Sequence, residues 1–291
     1  MVNFDSVQEL IDNAREHNKK IYEIVLEDQM TELSLSYNEI FNNMDRHLSV
    51  MEQAIEKGIK STLRSPTGLS GQDAHKLQKA LDLGKTIGGQ MFDKMLIKAL
   101  ALAEANACME RIVAAPTAGS CGIIPAVLLT AMEEQHIDRE KVVFSLFTAA
   151  GIGMVIAKRA SISGAEGGCQ AECGSASAMA AAALVELMGG TSEAAGNACA
   201  IALENILGLV CDPVAGLVEV PCIKRNASGA ANALVAADLA LAGINSIIPV
   251  DEVIDAMKSV GNLMMPALKE TGEAGLAACP TAKKLSKQIF D

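Results

Sequence analysis

Residues 171–188 read AECGSASAMAAAALVELM, and residues 192–207 read SEAAGNACAIALENIL. Each run is too long and too rich in alanine for a strand: alanine loses no side-chain entropy in a helix, whereas strands favour β-branched and aromatic residues. Both segments predict helices, and they set the character of the second part of the chain. From about residue 95 onward charge is sparse, and apolar Ala/Gly-rich segments alternate with four short loops. These are APTAGSCG (115–122), SGAEGGC (163–169), CDPVAG (211–216) and GNLMMP (261–266). Such a part reads as an interior. The run 216–223 alternates weakly enough to suggest a strand, but Pro221 has no N–H to give a ladder and demotes it.

Residues 4–60 have a different texture, charged and periodic. Leu10, Ile11, Ala14, Ile21, Ile24 and Val25 recur at helical spacing, and Met44, Leu48, Met51, Ala54, Ile55 and Ile59 form one stripe over 40–59. The pattern stops at RSPTGLSGQDAHKL (64–77), where Ser70 or Asp73 is placed to cap the following helix. The expected architecture is all-α, one compact helical domain over 1–291. Amphipathic N-terminal helices occupy 1–60, and a core with Gly/Pro loops occupies 61–291. Half of the residues are apolar but only 3 % are aromatic and none is Trp. The core must therefore be built from Ala, Leu, Ile, Val and Met.

The net charge of −11 and a pI near 4.9 leave no Lys/Arg field to release counterions from a phosphate backbone, so no nucleic-acid partner is expected. The longest uncharged stretch, Ile112 to Met132, is broken by Pro116, Gly119, Gly122 and Pro125 and reads as loop plus buried helix, not a membrane span. The first twenty residues lack a basic region followed by an apolar one, so the expected location is cytoplasmic. In that compartment eight cysteines stay reduced, as core thiols or as cofactor ligands.

Histidine offers little chemistry. His17, His47, His75 and His136 each lack a second His or carboxylate at metal spacing, and no GxSxG elbow, GxxxxGK[ST] loop or strand-borne GxGxxG is present. The cysteines divide by neighbourhood. Cys108 and Cys199 lie within alanine-rich helical patterns and read as packing. Cys169, Cys211 and Cys222 sit at loop edges beside Gly or Pro, in GGCQ, VCDPVAG and VPCIKRN, where backbone N–H groups are free to cradle a sulfide-rich cluster.

The combination GAEGGCQAECGSASAMAAA (164–182), NILGLVCDPVAGLVEVPCIKRN (205–226) and AAPTAGSCGIIPAVL (114–128) resembles the iron–sulfur-dependent L-serine dehydratases, specifically the α subunit of their two-subunit form. The similarity runs from about Ser65 to Lys284. The resemblance implies a [4Fe–4S] cluster held by Cys169, Cys211 and Cys222, with no thiolate on the fourth iron during catalysis, and leaves Cys173 to packing. It also implies that SPTGLSG (65–71) and PTAGSCG (116–122) bind the carboxylate of L-serine through Ser65, Thr67, Gly68, Thr117, Ala118, Gly119 and Ser120. Arg64 or Arg225 is a further source of charge. The open iron would act as a Lewis acid on the serine hydroxyl, and β-elimination would give pyruvate and ammonia.

The Ser-Ser-His-Thr motif that carries the base in single-chain members does not occur in this sequence. The resemblance therefore implies a separate β subunit that supplies the base, with Lys224 and His75 as local substitutes. Two positions depart from the family pattern: Gly71-Gln72 stands for a diglycine, and Cys279 in GLAACPTAK stands for a threonine. Rival readings are an L-cysteine desulfidase, a pyridoxal-phosphate deaminase with Lys158 as its Schiff-base lysine, and a non-catalytic iron–sulfur protein.

Overall fold

The computed structural model describes residues 4–62 and 64–291, and no strand occurs among them. In chain order the helices are α1 (Val7–Glu16), α2 (Ile21–Leu33), α3 (Tyr37–Lys60), α4 (Asp73–Asp82), α5 (Gln90–Ala107), α6 (Ile123–Glu134) and α7 (Arg139–Arg159). There follow a short α8 (Gly164–Gly167), α9 (Ser175–Leu187), α10 (Ser192–Glu204), α11 (Cys222–Leu241), α12 (Val250–Leu263) and α13 (Pro280–Phe290). The all-α expectation holds. Residues 216–223 form no strand: a 3-10 turn at Val214–Gly216 leads into α11, whose first residue is Cys222.

The alanine run does what its composition predicts. Every residue of α9 from Ser175 to Glu186 is buried, and the helix packs against α6, α7, α10 and α11. Side chains this small let four neighbours close on one helix, which a leucine-rich helix of the same length would hold apart. The first turn departs from the expected regular helix: Gln170–Gly174 is π-helical and carries Cys169 into α9. Inserted π turns are uncommon and concentrate at functional sites.

The N-terminal helices share this core, and one hydrophobic cluster runs from Phe4 to Met257. Leu10, Ile21, Ile24 and Leu48 are fully buried, each contributing about 1.5–3 kcal/mol of transfer free energy. Helix α7 is apolar and long enough to cross a membrane, but most of it lies buried against α2 and α9, as in a core helix.

Three helix N-termini are closed by carboxylates from distant helices. Asp251 of α12 accepts the Val7 and Gln8 amides of α1 at 2.9 and 3.0 Å. Glu186 of α9 accepts the Ile21 and Tyr22 amides of α2. Glu104 of α5 accepts the Asp73 and Ala74 amides of α4. This last contact corrects the expected cap: Gln72 occupies the cap position in a left-handed conformation, Asp73 is the first helical residue, and Ser70 is engaged elsewhere. A negative charge at a helix N-terminus satisfies free amides and the helix dipole together.

Candidate functional site

Cys169, Cys211 and Cys222 arrive from three different elements and are 1 %, 2 % and 6 % exposed. Gly168 turns the chain through a positive φ of 77° and delivers Cys169 to the head of the π turn. Cys211 is held by its own backbone, its N–H donating to the Leu268 carbonyl and its carbonyl accepting from the Glu270 N–H, at 2.8 and 2.7 Å. Cys222 opens α11 directly after Pro221, where the first helical amides have no partner within the helix.

Two side chains of α11 bind these elements together. Arg225 donates to the Val210 carbonyl and to Asp212 Oδ1, both at 2.8 Å, so it grips the residues on either side of Cys211 while its positive charge favours the thiolate of Cys169. Asn226, one turn beyond Cys222, donates to the Gly119 carbonyl at 2.7 Å and to the Cys222 carbonyl at 3.0 Å, and accepts the Gly122 N–H at 2.9 Å. The loop 116–122 and Cys222 are thereby one unit.

Two glycines mark close approaches. A side chain at Gly164 would stand 3.1 Å from Cys211 Sγ, 3.3 Å from Glu270 Oε2 and 3.4 Å from Glu172 Oε2. One at Gly119 would meet the Glu172 carboxylate at 2.6 Å. Glu172 lies between the 116–122 loop and Cys211, and it accepts from the Thr117 hydroxyl, which also meets Ser120 Oγ at 2.9 Å. The 65–71 loop is organised by another buried carboxylate, Glu219, which receives the hydroxyls of Thr67, at 2.8 Å, and Ser70; Ser65 Oγ lies 3.1 Å from Thr67 Oγ1.

The electrostatics separate the thiols. Cys173 lies 3.3 Å from Cys169, sulfur to sulfur, and this contact, with Arg225, holds Cys169 below the ordinary thiol range against the opposing effect of burial. Burial pushes Cys222 up to about 12 and raises Cys211 strongly, with Cys169 adding to both and Cys222 adding to Cys211. The three sulfurs therefore lie within electrostatic reach of one another. Burial also raises Glu172, with Glu270 adding to the effect.

The remaining sequence candidates lie apart from this centre. Arg64 is exposed and donates to the Gly68 carbonyl. Lys224 is exposed and pairs with Asp73 at 3.3 Å, and His75 is exposed with Nδ1 at the Ile59 carbonyl. Lys158 is spent on Asp5 and the Phe4 carbonyl. Cys199 is buried in α10 as expected, but Cys108 is not inside a helix: it caps α5 at the edge of a cavity of about 460 Å³ lined also by Lys57 and Glu104. Cys279 is exposed at the start of α13. Glu172, Glu219 and Asn226 went unremarked in the sequence, although each stands within four residues of a predicted cysteine.

Among the described residues, no three His, Cys, Asp or Glu side chains converge as the ligands of one metal ion. The residues that could hold a larger cofactor are the three buried thiols, which come from separate elements, one of them at a helix N-terminus.

The family model described as serine dehydratase alpha chain matches residues 16–277. The chain is 53 % identical to the probable L-serine dehydratase, alpha chain, of Bacillus subtilis, over 99 % of this chain and 95 % of that protein. It is 47 % identical to the L-serine dehydratase, alpha chain, of Peptoniphilus asaccharolyticus, over 98 % of each. Against the L-serine dehydratase of Streptomyces coelicolor it is 40 % identical over 94 % of this chain but only 60 % of that longer protein.

Proposed function

The chain belongs to the serine dehydratase alpha chain family, and on that premise we propose that it is the α subunit of a cytoplasmic L-serine ammonia-lyase converting L-serine to pyruvate and ammonia. A [4Fe–4S] cluster on Cys169, Cys211 and Cys222 would supply a Lewis acid for the departing hydroxyl. The observation that carries the reading is the Asn226 side chain, which locks the 116–122 loop to Cys222. A loop that binds the substrate carboxylate must be held at fixed distance from the group that accepts the β-hydroxyl, because misplacement by an ångström costs orders of magnitude in rate.

In this reading the chain's own residues hold the substrate. Thr117, Ser120 and the amides of the 116–122 loop receive the carboxylate from one side, and Ser65, Thr67 and Gly68 from the other. Glu172 orients Thr117, and burial raises its carboxyl above the ordinary carboxylate range. Arg225 keeps positive charge beside Cys169 and fixes the strap that carries Cys211. The base that takes the Cα proton is assigned to a β subunit. The longer Streptomyces relative leaves two-fifths of its length unmatched, and Lys224 and His75 are both exposed with partners of their own.

Anaerobic reconstitution with iron and sulfide tests the ligand set. Cys169→Ser, Cys211→Ser and Cys222→Ser should each abolish the broad visible absorbance and, once the β subunit is added, pyruvate formation, whereas Cys279→Ser should spare both. Full turnover by the reconstituted chain alone would refute the partner assignment. A sharp band quenched by borohydride would favour a pyridoxal-phosphate enzyme.

A further inference from the structure

Cys173 is the one member of the central thiol group with no part in the proposed reaction. Its sulfur nevertheless lies 3.3 Å from that of Cys169, and among the described residues this is the only pair of sulfurs within hydrogen-bonding range. Cys169 stands at the head of the π turn and Cys173 lies within it, four residues on. A cavity of about 410 Å³, lined by Cys173, Gly208, Arg225, Ser228, Gly229 and Asn232, lies beside the pair.

We propose that Cys169 and Cys173 are an oxidative modification site, closing to a reversible disulfide when the cluster-free chain meets a hydroperoxide. One sulfur of the pair attacks the peroxide O–O bond, giving a sulfenic acid and one water. The other sulfur then displaces the hydroxyl from that sulfenic acid as a second water, and the S–S bond forms. Two electrons pass from the two sulfurs to the peroxide, and the two thiol protons leave in the two waters. The sulfurs need to approach by little more than an ångström to reach a bond length of about 2.05 Å. Closure removes Cys169 from the set of free thiols, so the chain cannot be loaded until a dithiol reductant reopens the bond. A loaded chain, with Cys169 engaged, is resistant. The pair is thus a lock on assembly: the bond stands on the closeness of the two sulfurs, and the lock rests on the proposed role of Cys169 as a cluster ligand.

The test uses the full cluster-free chain, treated anaerobically with hydrogen peroxide and then blocked with N-ethylmaleimide. Cleavage after glutamate separates residues 167–172 from 173–186, so the link appears as a joined pair of peptides in unreduced digests. The expected result is that pair, with two of the eight thiols lost, and iron uptake abolished until dithiothreitol is added. Cys173→Ser should remove the joined pair and leave iron uptake insensitive to the same dose. Absence of the pair, a link from Cys169 to Cys211 or Cys222 instead, or a formed link with undiminished iron uptake would each overturn the proposal. The mapping of the unsubstituted chain decides it even if the variant fails to fold.

Discussion

Asn226 Nδ2 stands 2.7 Å from the Gly119 carbonyl oxygen, across 107 positions of sequence, and the same amide group accepts the Gly122 N–H at 2.9 Å. The side chain is buried, so truncation strands the Gly119 carbonyl and the Gly122 N–H without water. Each buried polar group left unpaired costs about 1–3 kcal/mol. Asn226→Ala should therefore destabilise the chain by roughly that range or somewhat more, read by urea unfolding. In the reconstituted enzyme with its partner it should raise KM for L-serine, because the carboxylate loop is released while the thiols remain. An unchanged KM with a lowered iron content would show that Asn226 serves Cys222 alone.

Arg225 and Asp212 form an ion pair at 2.8 Å with both side chains largely buried. Removing one partner of such a pair leaves an uncompensated charge and costs about 3–5 kcal/mol. Arg225→Ala should accordingly lower the melting temperature by many degrees and speed alkylation of Cys211, whose strap loses its grip at Val210 and Asp212. Arg225→Lys keeps the charge but cannot reach both acceptors with one planar group. It should recover part of the stability and little of the Cys211 protection. Equal alkylation rates in all three proteins would remove Arg225 from the strap.

Glu219 gathers the hydroxyls of Thr67 and Ser70 three residues before Cys222. Glu219→Ala should loosen the 65–71 loop without disturbing the thiols. The expected outcome is a several-fold rise in KM for L-serine with unchanged iron content and visible spectrum, measured on the same preparation. Loss of iron in this variant would instead make Glu219 part of the support for Cys222.

Much of this was legible because it is local. The burial of Leu10, Ile21, Ile24 and Leu48 follows from a 3.6-residue period, and the helicity of α9 from its alanines. Cys169, Cys211 and Cys222 were marked by the Gly and Pro beside them. What stayed hidden depends on partners far along the chain. Nothing near Gln72 announces that Glu104 will cap α4; of the local candidates, Ser70 gives its hydroxyl to Glu219 and Asp73 is already inside the helix. Asn226 carried a faint signal: a polar residue one turn after Cys222 on an otherwise apolar helix face. The π turn carried none, since an i to i+4 spacing of cysteines fits an ordinary helix equally well.

Glu186 caps α2 from within the core, accepting the Ile21 and Tyr22 amides and the Thr148 hydroxyl. Burial nevertheless wins over these hydrogen bonds and raises its pKa above the ordinary carboxylate value of 4.5. A carboxyl raised on folding binds its proton more tightly in the native chain than in the unfolded one. Between the two pKa values the native state therefore holds more protons, and stability falls as pH rises through that window. The favourable contribution is complete below the unfolded value and is lost once the pH passes the folded one. Glu186→Gln removes the titration while keeping one acceptor for the cap. It should flatten the decline in unfolding free energy of the cluster-free chain as pH rises from about 4.5 toward neutrality, measured by urea titration at closely spaced pH values. Glu186→Ala should flatten it as well and lose about 0.5–2 kcal/mol at every pH through loss of the cap. A glutamine variant whose slope matched that of the parent chain would assign the pH dependence to Glu104 and Glu172, the other carboxyls raised by burial.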